Sequence, residues 1–189
     1  MTTTRRGFIQ ASAAAVSALG IGGLSTAAAS TPMVEKAVKP LRLLILGGTG
    51  FIGPHMVQTA LDRGHEVTIF NRGKSNTELF PEIEKLVGDR DGDLESLKGR
   101  EWDAVIDNTG YVPRHVRDSA DLLKGHVGRY LFTSTGSVYD LEAERVDEDS
   151  KLLDVPEPDS EDTQKYYGEL KVLCEQAVQE RYGDAATIV

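Results

Sequence analysis

Tyr167 and Lys171 stand four residues apart in YGELK, a spacing that puts both on one face of a helix. An ammonium beside a phenol favours the phenolate and lowers a tyrosine pKa from its usual value of about 10 toward working pH. A tyrosine tuned in this way serves as general acid and base on an alcohol or a carbonyl. A second stretch, Phe132-Thr133-Ser134-Thr135-Gly136-Ser137-Val138-Tyr139, crowds hydroxyls at the end of an apolar run. One of those hydroxyls can hold the oxygen on which the tyrosine acts. Tyr-x-x-x-Lys alone is common, so its place in the chain has to carry the argument.

That place is set by LRLLILGGTGFIG, residues 41–53. Gly47, Gly50 and Gly53 make G-x-x-G-x-x-G after a buried-type strand and before a helical pattern. The first glycine permits a tight turn, the second lets a pyrophosphate approach the backbone, and the third lets the helix pack on its strand. The helix N-terminus then offers free N–H groups to phosphate. Phe51 and Ile52 are apolar and are expected to anchor the helix start in the core. The second strand ends in Asn71-Arg72, with Lys74 close behind. An acid there would bind the adenosine ribose of NAD. Arg72 instead suits a 2′-phosphate, which favours NADP; a solvated basic turn is the alternative. Asp89, after Gly88, can meet the adenine amino group or simply shape a turn. Asn108 and Thr109 can line the same cleft.

These motifs need a scaffold that alternates strands and helices. Leu41–Leu46 reads as a strand buried on both faces, and residues 52–63 as a helix that Gly64 stops. Glu66–Phe70, Ile83–Val87 and Trp102–Ile106 follow as strands. His115–Leu123 is a helix after Pro113, and Arg129–Phe132 is a fifth strand. Residues 140–162, acidic and carrying Pro156 and Pro158, read as a loop. Thr163–Tyr182 is a long helix and Ala185–Val189 a sixth strand. This order predicts a Rossmann-type α/β fold, a doubly wound parallel sheet covered on both faces.

The chain has 189 residues, 40% of them hydrophobic, and a formal net charge of −9. That supports one globular domain and speaks against nucleic-acid partners. The single cysteine, Cys174, permits no internal disulfide and is expected to be buried. His55, His65, His115 and His126 share no metal-ligand spacing, so no metal is expected. Residues 1–29 differ in kind. Arg5-Arg6-Gly7-Phe8-Ile9 precedes a mildly apolar Ala/Gly/Ser stretch and Ala27-Ala28-Ala29. The segment resembles a twin-arginine export signal. It implies the twin-arginine machinery as a partner and delivery to the periplasm or cell exterior, or a membrane anchor if the signal is not cleaved. Residues 30–40 read as a linker, leaving 41–189 as the dinucleotide-binding domain.

GGTGFIG, FTSTGSVY and YYGELK followed by CEQ, in this order, resemble the extended short-chain dehydrogenase/reductase family, the NAD-dependent epimerases and dehydratases. The resemblance implies Tyr167 as acid/base and Lys171 as the residue that binds the nicotinamide ribose and lowers the tyrosine pKa. It gives the Ser/Thr role to Thr135, with Ser134 as the alternative if the strand end is offset by one. Tyr166 is rejected, because Leu170 stands four residues on from it. The implied cofactor is NADP or NAD, and the implied substrate a small molecule such as a nucleotide-sugar. A homodimer is one open assembly state. Asp107-Asn108-Thr109-Gly110 replaces the usual small segment after the fourth strand, and the Asn71-Arg72 strand end is close to a branch related to chloroplast stem-loop RNA-binding proteins. That branch supplies the alternative, a dinucleotide-binding sensor or RNA-binding protein with little chemistry. Because AATIV is a buried-type strand at the end of the chain, the domain is expected to be incomplete before a C-terminal substrate lobe, and inactive alone.

Overall fold

β1 (Arg42–Leu46) sets the layering of the sheet. Leu43 through Leu46 are all buried and divide between two apolar clusters. Leu44 and Leu46 pack with Val105, Val116, Ala120 and Cys174. Leu43 and Ile45 pack with Val57, Ala60, Val67 and Ile69. A strand apolar on both faces requires cover on both sides. The computed structural model, which describes residues 34–140 and 146–189, supplies that cover.

After β1 come α1 (Gly53–Asp62), β2 (Glu66–Asn71), β3 (Glu84–Val87), β4 (Trp102–Asp107), α2 (Pro113–Leu123), β5 (Val127–Phe132), α3 (Tyr167–Tyr182) and β6 (Ala186–Ile188). The sheet order is β3-β2-β1-β4-β5-β6, and every neighbouring pair is parallel. Leu46 lies opposite Phe70 on one side and Asp107 on the other. The chain runs outward from β1 to β3, then returns to β4 beside β1. This reversal of direction opens a crevice at the carboxyl ends of the strands. α1 covers one face through Val57 and Ala60, while α2 and α3 cover the other through Val116, Ala120, Cys174 and Val178. The doubly wound α/β fold expected from the sequence is the fold observed.

Helix boundaries follow local chemistry. Pro113 opens α2 at a position where a missing N–H costs nothing. Gly64, at φ +86°, ends α1, and the N–H of His65 then reaches the Ala60 carbonyl at 3.0 Å. α3 begins later than its pattern predicts, at Tyr167 rather than Thr163. Asp162 Oδ1 accepts the N–H groups of Gln164 and Lys165 at 3.0 and 3.1 Å, which stabilises a separate turn. Tyr166 then leaves the helical region at φ −121°, ψ 36°. Cys174 is buried, as expected, and so is Trp102. The export signal expected at 1–29 lies outside the described residues, as do 30–33 of the linker and 141–145 of the acidic loop.

Candidate functional site

A cleft of about 700 Å³ opens over the carboxyl ends of β1 to β4. Its floor is the glycine turn. Gly47 has φ +111°, donates to the Phe70 carbonyl at 2.9 Å, and would bring an added Cβ to 3.0 Å from Thr109 Cγ2. At Gly53 a Cβ would meet the Gly48 backbone at 2.7 Å, so only glycine lets α1 start this close to the turn. A Cβ at Gly50 would meet nothing within 4 Å, and the backbone there faces the cleft. Gly47 thus makes the turn and Gly53 the close packing of α1, while Gly50 leaves its backbone open to the cleft.

Phe51 corrects the sequence reading. It does not anchor the helix in the core; it is 92% exposed and adopts φ +51°. The left-handed backbone needed to complete the turn swings its ring outward, into the lining of the cleft. Ile52 is half-buried and also lines it.

Beyond β2, Asn71 is committed to structure. Its Oδ1 accepts the Gly73 N–H at 2.8 Å, and its Nδ2 donates to Thr49 Oγ1 at 3.3 Å. Asn76 Nδ2 donates to the Thr49 carbonyl at 2.7 Å. Two asparagines therefore tie the basic loop to the glycine turn, and Thr49 is 7% exposed between them. Arg72 and Lys74 remain exposed on that loop and line the cleft. Asp89 also lines it, and its Oδ1 accepts the Asp91 N–H at 3.1 Å, so it shapes the turn from a position open to the cleft.

At the other end, α3 presents Tyr167 to the cleft. Gly168 leaves no room for a side chain against the Ser137 carbonyl, so α3 begins directly on the turn that Thr135 caps. Thr135 Oγ1 accepts the Ser137 N–H at 3.2 Å. Ser134, the alternative hydroxyl, bonds to the Glu175 carboxylate. One turn along from Tyr167, Lys171 is 2% exposed. Its Nζ donates to the carbonyls of Thr133 at 2.7 Å and Gly110 at 3.0 Å, and sits 3.9 Å from the centre of the Phe132 ring. Burial pushes the Lys171 ammonium below its ordinary pKa. Tyr167 is thus in the cleft lining, while Lys171 and Thr135 are not part of it.

Beneath the cleft lies a polar cluster that the sequence reading missed. Arg90 Nη1 donates to Asp107 Oδ1 at 2.6 Å, and Nη2 to Ser119 Oγ at 2.6 Å. The Tyr130 hydroxyl donates to Asp107 Oδ2 at 2.7 Å, and the Thr109 N–H to Asp107 Oδ1 at 3.1 Å. Burial opposes the Arg90 charge, but Asp107 outweighs it and the guanidinium pKa rises. Burial, then Asp107, pushes the Tyr130 phenol well up. The cluster fixes the segment after β4. There Asn108 lines the cleft, accepts the Thr133 hydroxyl at 2.9 Å, and keeps a buried Nδ2 without a partner among the described residues. A charged residue at the end of an otherwise apolar strand was the one signal for this cluster. Tyr111, also missed, faces the cleft beside Tyr167.

Comparison with known proteins bears on the family and the fold. A UDP-glucose 4-epimerase of Klebsiella pneumoniae is 38% identical over 128 residues, 52% of this chain and 92% of that one. The chloroplast stem-loop binding protein of 41 kDa b from Arabidopsis thaliana is 32% identical over 114 residues, 52% of this chain and 30% of that protein. The fold superposes on the Bordetella bronchiseptica enzyme WbmG, solved in complex with NAD, with a TM-score of 0.60 at 19% identity, covering 80% of this chain and 52% of that one. The chain therefore spans about half the length of that enzyme and less of the plant protein. The model of the NAD dependent epimerase/dehydratase family matches residues 43–189, and the chain belongs to that NAD-dependent family.

Proposed function

We propose that the protein is an NAD(P)-dependent epimerase, dehydratase or reductase acting on a hydroxyl or carbonyl substrate, with nucleotide-sugars as the substrate class. The observation that carries this reading is Lys171, buried one helical turn from Tyr167 and held by two carbonyls at the cleft end where that phenol stands. The residues present fit a dinucleotide. Gly50 leaves its backbone open, Asn108 Nδ2 is buried with no acceptor, and Lys171 has a third proton beyond the two that Gly110 and Thr133 accept.

In this reading the turn from Gly47 to Gly53 holds the pyrophosphate at the start of α1. Arg72 and Lys74 flank the adenosine ribose, Asp89 the adenine, and Lys171 the nicotinamide ribose. The bound dinucleotide supplies a hydride acceptor or donor. Tyr167 takes the proton of the substrate hydroxyl as the carbon beneath it gives up its hydride, and returns a proton to the carbonyl oxygen in the reverse direction. The Thr135 hydroxyl steadies the same oxygen. In a full-length form that includes a C-terminal substrate lobe and turns over UDP-glucose, Tyr167→Phe should lower that turnover on the order of 10²-fold or more while leaving NAD affinity in place. Equal turnover by the variant would refute the role.

The likeness to the plant stem-loop binding protein supports a second reading, a dinucleotide- or RNA-binding protein with little chemistry. The net charge of −9 weighs against it. A cofactor that stays oxidised with every sugar nucleotide, together with capture of a stem-loop RNA, would favour it. The Arg5-Arg6 segment supports export by the twin-arginine route as a further part of the proposal.

A further inference from the structure

Tyr111 follows Gly110, the residue whose carbonyl accepts Lys171 Nζ. Its ring centre is 6.4 Å from that of Tyr167, with the planes tilted by 36°, and 5.8 Å from Lys171 Nζ. It is 44% exposed and lines the cleft. Its phenol makes no hydrogen bond to any described residue. Burial raises its pKa, with the Tyr167 phenol adding to the effect, so it stays neutral and its ring stays electron-rich. A large aromatic side chain standing open in the cleft, next to a lysine and a second phenol, offers a flat surface for another ring. Aromatic faces take flat apolar rings by offset or tilted packing and attract cationic rings through their quadrupole.

We propose that Tyr111 is a nicotinamide-contacting residue, the wall against which the nicotinamide ring packs at the Tyr167 end of the cleft. This rests on the dinucleotide reading above. Asp89 and Arg72, at the far end, leave the adenine half there. Lys171 and Tyr167 mark the half in which hydride moves, and Tyr111 is the open aromatic face beside them. The oxidised ring is a pyridinium cation and the reduced ring is neutral, so the contact favours the oxidised form.

Calorimetric titration with NAD+, NADH and ADP-ribose, which lacks the nicotinamide, tests the assignment on the wild-type protein, Tyr111→Phe and Tyr111→Ala. Tyr111→Ala should weaken NAD+ binding about fivefold to tenfold, NADH less, and ADP-ribose not at all. Tyr111→Phe, which keeps the ring, should bind all three like wild type and shows that the position tolerates change. Unchanged NAD+ affinity in Tyr111→Ala, or an equal loss for NAD+ and ADP-ribose, overturns the inference while leaving the dinucleotide reading intact. A wild-type protein that binds neither NAD+ nor ADP-ribose overturns both.

Discussion

Arg90 and Asp107 meet at 2.6 Å beneath the cleft, with side chains only 8% and 0% exposed. They join the segment after β3 to the end of β4, and so the Asp89 end of the cleft to the segment whose Gly110 carbonyl holds Lys171. Removing one partner of a buried pair strands the other charge, at a cost of about 3–5 kcal/mol. Arg90→Met should therefore lower unfolding free energy by about that amount in urea titration. Adding Asp107→Asn to Arg90→Met should recover part of the loss, since the stranded charge is gone. A single variant as stable as wild type would mean that the pair contributes nothing.

Arg72 bears on cofactor choice. It is exposed, lines the cleft and stands where an acid would select NAD. NADP(H) should bind at least as tightly as NAD(H). Arg72→Ala should cost NADP(H) about tenfold, the worth of one charged hydrogen bond, and leave NAD(H) nearly unchanged. A preference for NAD that persists in Arg72→Ala would exclude a phosphate contact here.

Cys174 gives a pH signature. Burial pushes its thiol up from its ordinary value of 9.0 to about 12. A raised pKa means that the unfolded chain loses this proton first as pH rises. The stabilisation is complete below about 9 and is lost progressively up to about 12. Cys174→Ala should flatten the fall in stability over that window. At pH 8 a thiol reagent should label Cys174 only at the rate of unfolding; rapid labelling of native protein would contradict its burial.

Export is tested apart from the fold. Arg5→Lys with Arg6→Lys should leave the precursor in the cytoplasm, read by fractionation. An unchanged periplasmic yield would exclude the twin-arginine route.

The sheet was legible because its strands are short apolar runs separated by helical patterns, and because glycine spacing reports backbone geometry directly. Tyr167 and Lys171 were legible because one helical turn places them together. Phe51 was misread because an apolar side chain is usually buried, and nothing in GTGFIG reveals that the turn needs φ > 0° at that residue. The start of α3 was misplaced because Asp162 draws the N–H groups of Gln164 and Lys165 into its own turn, ahead of the apolar pattern. Arg90, Asp107, Ser119 and Tyr130 come from four separate segments, and no local period connects them. Their association exists only once the chain has crossed from β3 to β4.

The double tie on Thr49 has a kinetic consequence. With Asn71 and Asn76 both fastened to it, the glycine turn and the basic loop are tied together without a ligand. Little ordering entropy is left to be spent at the moment of binding. Association then awaits no closing of this loop. If a dinucleotide binds as proposed, its association rate should be set by diffusion and by the field of Arg72 and Lys74 at the cleft of an otherwise acidic protein, and should fall as salt rises.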